Sequence, residues 1–269
     1  MQLSISNIAW KLEHDEEMYI FLKESDFEGL EIAPTRIFPD APYDKLEDAA
    51  LFGKKFKGET GLAISSMQSI WYGMTELMFT SNGQREKLIN YTKKAIDFAS
   101  AINCPNLVFG CPKNRTIPSD MERDVYLAIA YDFFTEIGNY AFKHGTCVSI
   151  EPNPPIYHTN FINTTKDAFD ICKMIGNPGI KVNIDLGTMI YTEESVELLK
   201  GNIHLVNHVH ISEPYLAPIQ KRTLHQELVR ALHHLKYEKF ISIEMSTQED
   251  IDVVKNVALY LKEVVNDEI

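Results

Sequence analysis

Four short apolar runs in the second half of the chain each end in a side chain able to bind a metal ion or move a proton. They read Ser149-Ile150-Glu151, Asn183-Ile184-Asp185, His208-Val209-His210 and Ser242-Ile243-Glu244. Side chains alternate across a strand, so each terminal group shares a face with the residue two before it. Those partners are Ser149, Asn183, His208 and Ser242, all polar or small. The intervening Ile150, Ile184, Val209 and Ile243 are apolar, so the four runs agree on which face carries the chemistry. Taken singly, each terminal group reads equally well as a surface residue just past a strand end. Taken together they argue for a site. A buried carboxylate is costly without a partner, and three of them beside one imidazole repel unless a cation sits among them. Oxygen donors with one nitrogen suit Mn2+, Co2+, Mg2+ or Zn2+, and ligand softness does not choose between these.

Such groups must be held by a rigid scaffold. β-rich runs recur at residues 3–8, 29–33, 62–67, 106–110, 147–151, 180–185, 206–211 and 240–245. Apolar residues at three- and four-residue spacing predict helices over 85–101, 124–144, 165–175, 227–235 and 249–265. Strands alternating with helices imply a parallel sheet with right-handed crossovers. Eight of them predict a closed (β/α)8 TIM barrel, and the 269 residues match the ~250 typical of that fold. No Gly-rich dinucleotide fingerprint follows the first strand, which weighs against an open doubly wound sheet. No linker or charge block divides the chain, so residues 1–269 are expected to form one domain. In this fold the chemistry lies at the C-terminal ends of the strands, where the four terminal groups fall. The stretches 34–43 and 68–84 read as loops at that mouth.

The net charge of −12 disfavours binding to nucleic acid, which needs a positive surface. No apolar run is long enough to span a membrane. No basic and then apolar leader opens the sequence, and Cys104, Cys111, Cys147 and Cys172 lack C-x2-C spacing. Reduced cysteines and a cytoplasmic location are therefore expected.

The series Ser149-Ile150-Glu151-Pro152-Asn153, Asn183-Ile184-Asp185-Leu186-Gly187-Thr188, His208-Val209-His210-Ile211-Ser212 and Ser242-Ile243-Glu244-Met245 resembles the xylose isomerase-like TIM barrel superfamily. That group holds sugar (phosphate) isomerases and epimerases, ketose 3-epimerases among them. The resemblance spans nearly the whole chain. It implies one divalent metal ion, with Mn2+ placed first, held by Glu151, Asp185, His210 and Glu244. It further implies that Glu151 and Glu244 act as acid and base on either face of the substrate. The chemistry fits, because a cation that polarises a carbonyl stabilises the enediolate left when a proton leaves the neighbouring carbon. Proton return from the opposite face makes an epimerase, and return to the adjacent carbon an isomerase. The expected partner is thus a small sugar or sugar derivative, and homo-oligomerisation is open. The sequence departs from the ketose 3-epimerases at Thr188, where many have a substrate-binding histidine. It also departs in the loop 212–218, where many have an arginine. Endonuclease-IV-type cousins need more histidine ligands than this sequence supplies.

Further substrate contacts are expected from Asn153, two residues beyond Glu151, and from Lys113 and Arg115, whose charges could grip a phosphate or carboxylate. Trp71 could stack on a sugar face. Glu31 could bind hydroxyls or orient a neighbour. His208 reads as an interior histidine that could also reach substrate, and Thr188 lies near the mouth. Two rival functions use the same scaffold. One is a metal-dependent dehydratase of an inosose-like polyol, the other a barrel that binds sugar without catalysis.

Overall fold

In the computed structural model, which describes residues 1–268, Leu3 pairs with Ile241 and Ile5 with Ile243, joining the first strand to the last. All eight strands pair in parallel with their sequence neighbours and close into a barrel. They are β1 (Gln2–Ser6), β2 (Gly29–Ile32), β3 (Ala63–Met67), β4 (Leu107–Phe109), β5 (Val148–Ile150), β6 (Ile180–Asp185), β7 (Val206–Ile211) and β8 (Phe240–Ile243). The (β/α)8 barrel expected from the alternation is present. β1 ends two residues early because Ser6 caps a turn at Asn7–Ala9, its Oγ accepting from the Ile8 N–H.

Nine helices are described: α1 (Asp15–Glu24), α2 (Pro34–Ile37), α3 (Leu46–Thr60), α4 (Asn82–Ala101), α5 (Arg123–Lys143), α6 (Thr165–Ile175), α7 (Leu186–Tyr191), α8 (Thr223–His234) and α9 (Ile251–Glu268). The bounds of α6 match expectation because both ends carry local stop signals. Thr164 and Asp167 form a reciprocal capping box, and Gly176 ends the helix with φ +59°. The helices α1 and α3 were not read from the sequence. Each buries only two side chains, Met18 and Leu22 in α1 and Ala49 and Phe56 in α3, so the apolar stripe is thin.

The strand pattern divides the two cores. Ile150, Ile184, Val209 and Ile243 are fully buried against the helices. The inward face is polar instead: Ser4, Ser65, Ser66, Ser149, Asn183, His208 and Ser242 fill the barrel. They bond across it, as in Ser4 Oγ to Ser65 Oγ at 2.6 Å and Asn106 Nδ2 to Ser66 Oγ at 2.9 Å. Buried polar groups need such partners. Register then aligns the chemistry, with Asn183 opposite His208, Asp185 opposite His210, and His210 opposite Ser242. No helix is long and apolar enough to cross a membrane among the described residues.

Candidate metal centre and active site

Asp185 and His210 are the last inward-facing residues of β6 and β7, while Glu151 and Glu244 stand one residue beyond β5 and β8. One donor atom from each of the four lies within 4.8 Å of the others, and all four residues are buried. Nδ1 of His210 is 3.0 Å from Glu151 Oε1 and 3.1 Å from Glu244 Oε2.

Each member is held by neighbours. Asn183 Nδ2 donates to Glu151 Oε1 at 2.7 Å, and Asn153 Nδ2 to Oε2 at 3.1 Å. Gln68 Nε2 donates to Glu244 Oε1 at 2.7 Å, while the Gln68 carbonyl accepts from Ser6 Oγ. Asp185 accepts from Ser212 Oγ and, at 2.7 Å each, from the backbone N–H and hydroxyl of Thr188. Gly110 passes so close that a Cβ there would stand 2.6 Å from Glu151 Oε2. Glycine there leaves that carboxylate its place.

Burial and mutual charge shift the titration of all four groups. Burial, joined by Glu151, raises the Asp185 carboxyl above its ordinary range. Burial pushes Glu244 up to about 7 despite His210. Burial also works against Glu151, but His210, Asn153 and Asn183 keep its pKa low. His210 is lifted well above the ordinary histidine value because Glu31, Glu244 and Glu151 outweigh its burial. Three buried carboxylates facing one imidazole thus suit a divalent ion, and the O3N donor set fits one.

Above the four lies a cavity of about 220 Å3, whose lining includes Gln68, Gly110, Asn153, Tyr157, Glu213 and Leu216. No lysine or arginine lines it among the described residues. Glu213 is buried, and Arg222 grips both its oxygens at 2.7 and 2.6 Å.

Of the expected substrate contacts, only Asn153 faces this cavity. Arg115 is not a mouth residue reaching for an anion. It is fully buried, and its Nη2 donates to the Glu151 carbonyl at 2.9 Å and to Asn153 Oδ1 at 2.7 Å. It therefore holds the loop that carries both. Lys113 is exposed and does not line the cavity. Trp71 is buried too, with Nε1 bonded to Thr92 at 2.8 Å and its ring set edgewise on Phe109. No face is left for a sugar. Thr188 is buried beneath Asp185, its single hydroxyl hydrogen shared between that carboxylate and the Pro152 carbonyl 2.8 Å away. Glu31 and His208 lie deeper. Glu31 Oε2 is 3.2 Å from His208 Nε2, and Oε1 is 3.0 Å from His210 Nε2. Glu31 is held well below the carboxylate range because His210 and His208 overcome its burial. Of the two roles considered for it, orienting a neighbour fits this place. A second buried group of Glu31, His208 and His210 follows from the same contacts.

Gln68, Gly110, Ser212 and Glu213 were not singled out from sequence. Ser212 and Glu213 directly follow β7, the strand that carries His210. Gln68 directly follows β3, and a place just past a strand end was the available signal.

The closed barrel, with four buried donors converging at its strand ends, defines the class of fold. The family described as xylose isomerase-like TIM barrel matches residues 20–264, and the chain belongs to it. No curated protein matches it in sequence. Solved structures share the fold along the whole chain. A 3-keto-D-glucoside 4-epimerase from E. coli is 20% identical with a TM-score of 0.80, covering 98% of this chain and 99% of that one. A D-psicose 3-epimerase from Clostridium cellulolyticum H10, solved with D-tagatose, is 14% identical with a TM-score of 0.80, covering 99% of each. A D-allulose 3-epimerase from Methylomonas sp., solved with D-allulose, is 16% identical with a TM-score of 0.76, covering 100% and 97%.

Proposed function

We propose that this chain is a divalent-metal-dependent isomerase or epimerase of an uncharged keto sugar or sugar derivative. The observation that carries the reading is the set of four buried donors within 4.8 Å, three of which, Glu151, Asp185 and Glu244, line the cavity. The similarity in fold to the epimerases named above supports it. Glu151, Asp185, His210 and Glu244 hold the ion, Mn2+ before Co2+, Mg2+ or Zn2+. When bound, the ion polarises the substrate carbonyl and so acidifies the adjacent C–H.

Glu151 and Glu244 carry the proton. One takes a proton from carbon while the other, protonated beforehand, delivers its own, and their separate supports keep each on its own side. Glu151 rests on Asn153 and Asn183, and Glu244 on Gln68. Asp185 stays a ligand, because Ser212 and Thr188 occupy its oxygens. The lack of a free cation along the cavity favours an uncharged substrate over a sugar phosphate. The cavity is small beside the roughly 300–1,000 Å3 of common ligand sites, which favours a monosaccharide. The reading takes residues 1–269 as one domain, working in the cytoplasm on a small molecule, with no nucleic acid or membrane partner.

The test is incubation of the Mn2+-loaded protein with free ketoses in D2O. Deuterium should enter the ketose at a carbon beside the carbonyl. Glu151→Gln and Glu244→Gln should each slow the exchange by roughly 10²–10⁴-fold. Net water loss would point to the dehydratase instead, and binding without exchange to a non-catalytic barrel.

A further inference from the structure

The loop after β5 turns at Pro155–Tyr157 and brings a half-buried phenol into the cavity wall with Glu151, Asp185 and Glu244. The Tyr157 oxygen accepts the backbone N–H of Tyr215 at 2.7 Å. That N–H is aimed by an unusual backbone: Tyr215 has φ +63° and Leu216 φ +53°, both in the left-handed region that L residues rarely hold. The strained pair is tied down on both sides. The Leu216 N–H donates to the Glu213 carbonyl at 3.0 Å, and its carbonyl accepts from Ser246 N–H at 2.8 Å. The segment 213–216 thus straps the loops after β5, β7 and β8 together.

A phenol has one O–H to donate and lone pairs to accept. Here the strap fills an acceptor position, and no acceptor for the Tyr157 hydrogen is found among the described residues. Burial, with Asp185 nearby, pushes the phenol up to about 12, so the proton stays on the oxygen at neutral pH.

We infer that Tyr157 is a substrate-binding residue whose O–H donates to one hydroxyl or carbonyl oxygen of the sugar, with the strap at Tyr215–Leu216 holding it in place. The inference rests on the keto-sugar reading above.

The test compares wild type and Tyr157→Phe, both full-length and Mn2+-loaded, for binding of D-tagatose and of its series of monodeoxy derivatives. Tyr157→Phe should weaken D-tagatose about 3–10-fold, as loss of one neutral hydrogen bond does. Mn2+ affinity should not change. One deoxy derivative, lacking the oxygen that Tyr157 contacts, should bind both proteins equally. An equal loss across the whole series would mean a merely structural role and overturn the inference, as would no loss at all. Failure of the wild type itself to bind any member would instead sink the keto-sugar reading, and this inference with it.

Discussion

Glu31 Oε1 lies 3.0 Å from Nε2 of His210, on the ring edge opposite the one that faces Glu151 and Glu244. A carboxylate there holds the Nε2 proton and turns the Nδ1 lone pair to the cluster. A histidine oriented this way is a better metal ligand. Glu31→Gln should therefore lower Mn2+ affinity about 10–100-fold without touching the ion. Calorimetric titration of Mn2+ into wild type and variant checks it, and equal affinities would remove Glu31 from the site.

Gly110 carries a second prediction, since a Cβ there would meet the Glu151 carboxylate at 2.6 Å. Gly110→Ala should push that side chain off its place. An ångström of displacement at a reacting group costs on the order of 10²-fold in rate. Ketose exchange in D2O should fall by about that factor, while the melting temperature moves by less than about 4 °C.

His225 supplies a pH dependence away from the cluster. It is buried in α8 with Nδ1 2.9 Å from the Tyr260 hydroxyl and no partner for Nε2. Burial lowers its pKa to about 4, with Glu213 opposing and Arg222 adding to the effect. A depressed histidine favours the neutral form, so the unfolded chain binds more protons between about pH 4 and the ordinary value of ~6.5. Its contribution to stability is intact above ~6.5 and is lost as pH falls toward 4, on the order of 3 kcal/mol in all. Urea unfolding with chelator present, from pH 7.5 to 4.5, should show a steeper fall in wild type than in His225→Gln. Parallel curves would contradict this.

The barrel was legible because eight β-rich runs alternate with amphipathic stretches, and because Ile150, Ile184, Val209 and Ile243 mark the outward face of four strands. The convergence of Glu151, Asp185, His210 and Glu244 followed from the same alternation. The surrounding shell was not legible in this way. Lys113, Arg115 and Trp71 lie in loops, where spacing does not say which way a side chain turns. Arg115 went inward to meet the Glu151 carbonyl, and Trp71 to meet Thr92. Thr188 sits in α7, whose N-cap is Asp185 itself, so its hydroxyl turns back to that carboxylate. Gln68 reaches Glu244 across 176 residues of sequence, a contact only barrel closure creates.

One divalent ion is proposed to sit among Glu151, Asp185, His210 and Glu244. An anomalous difference map from crystals grown with Mn2+ tests it most directly. A single peak is expected at about 2.0–2.4 Å from a donor atom of each of the four side chains, absent in His210→Ala. A peak elsewhere, or one that survives in His210→Ala at full height, would contradict it.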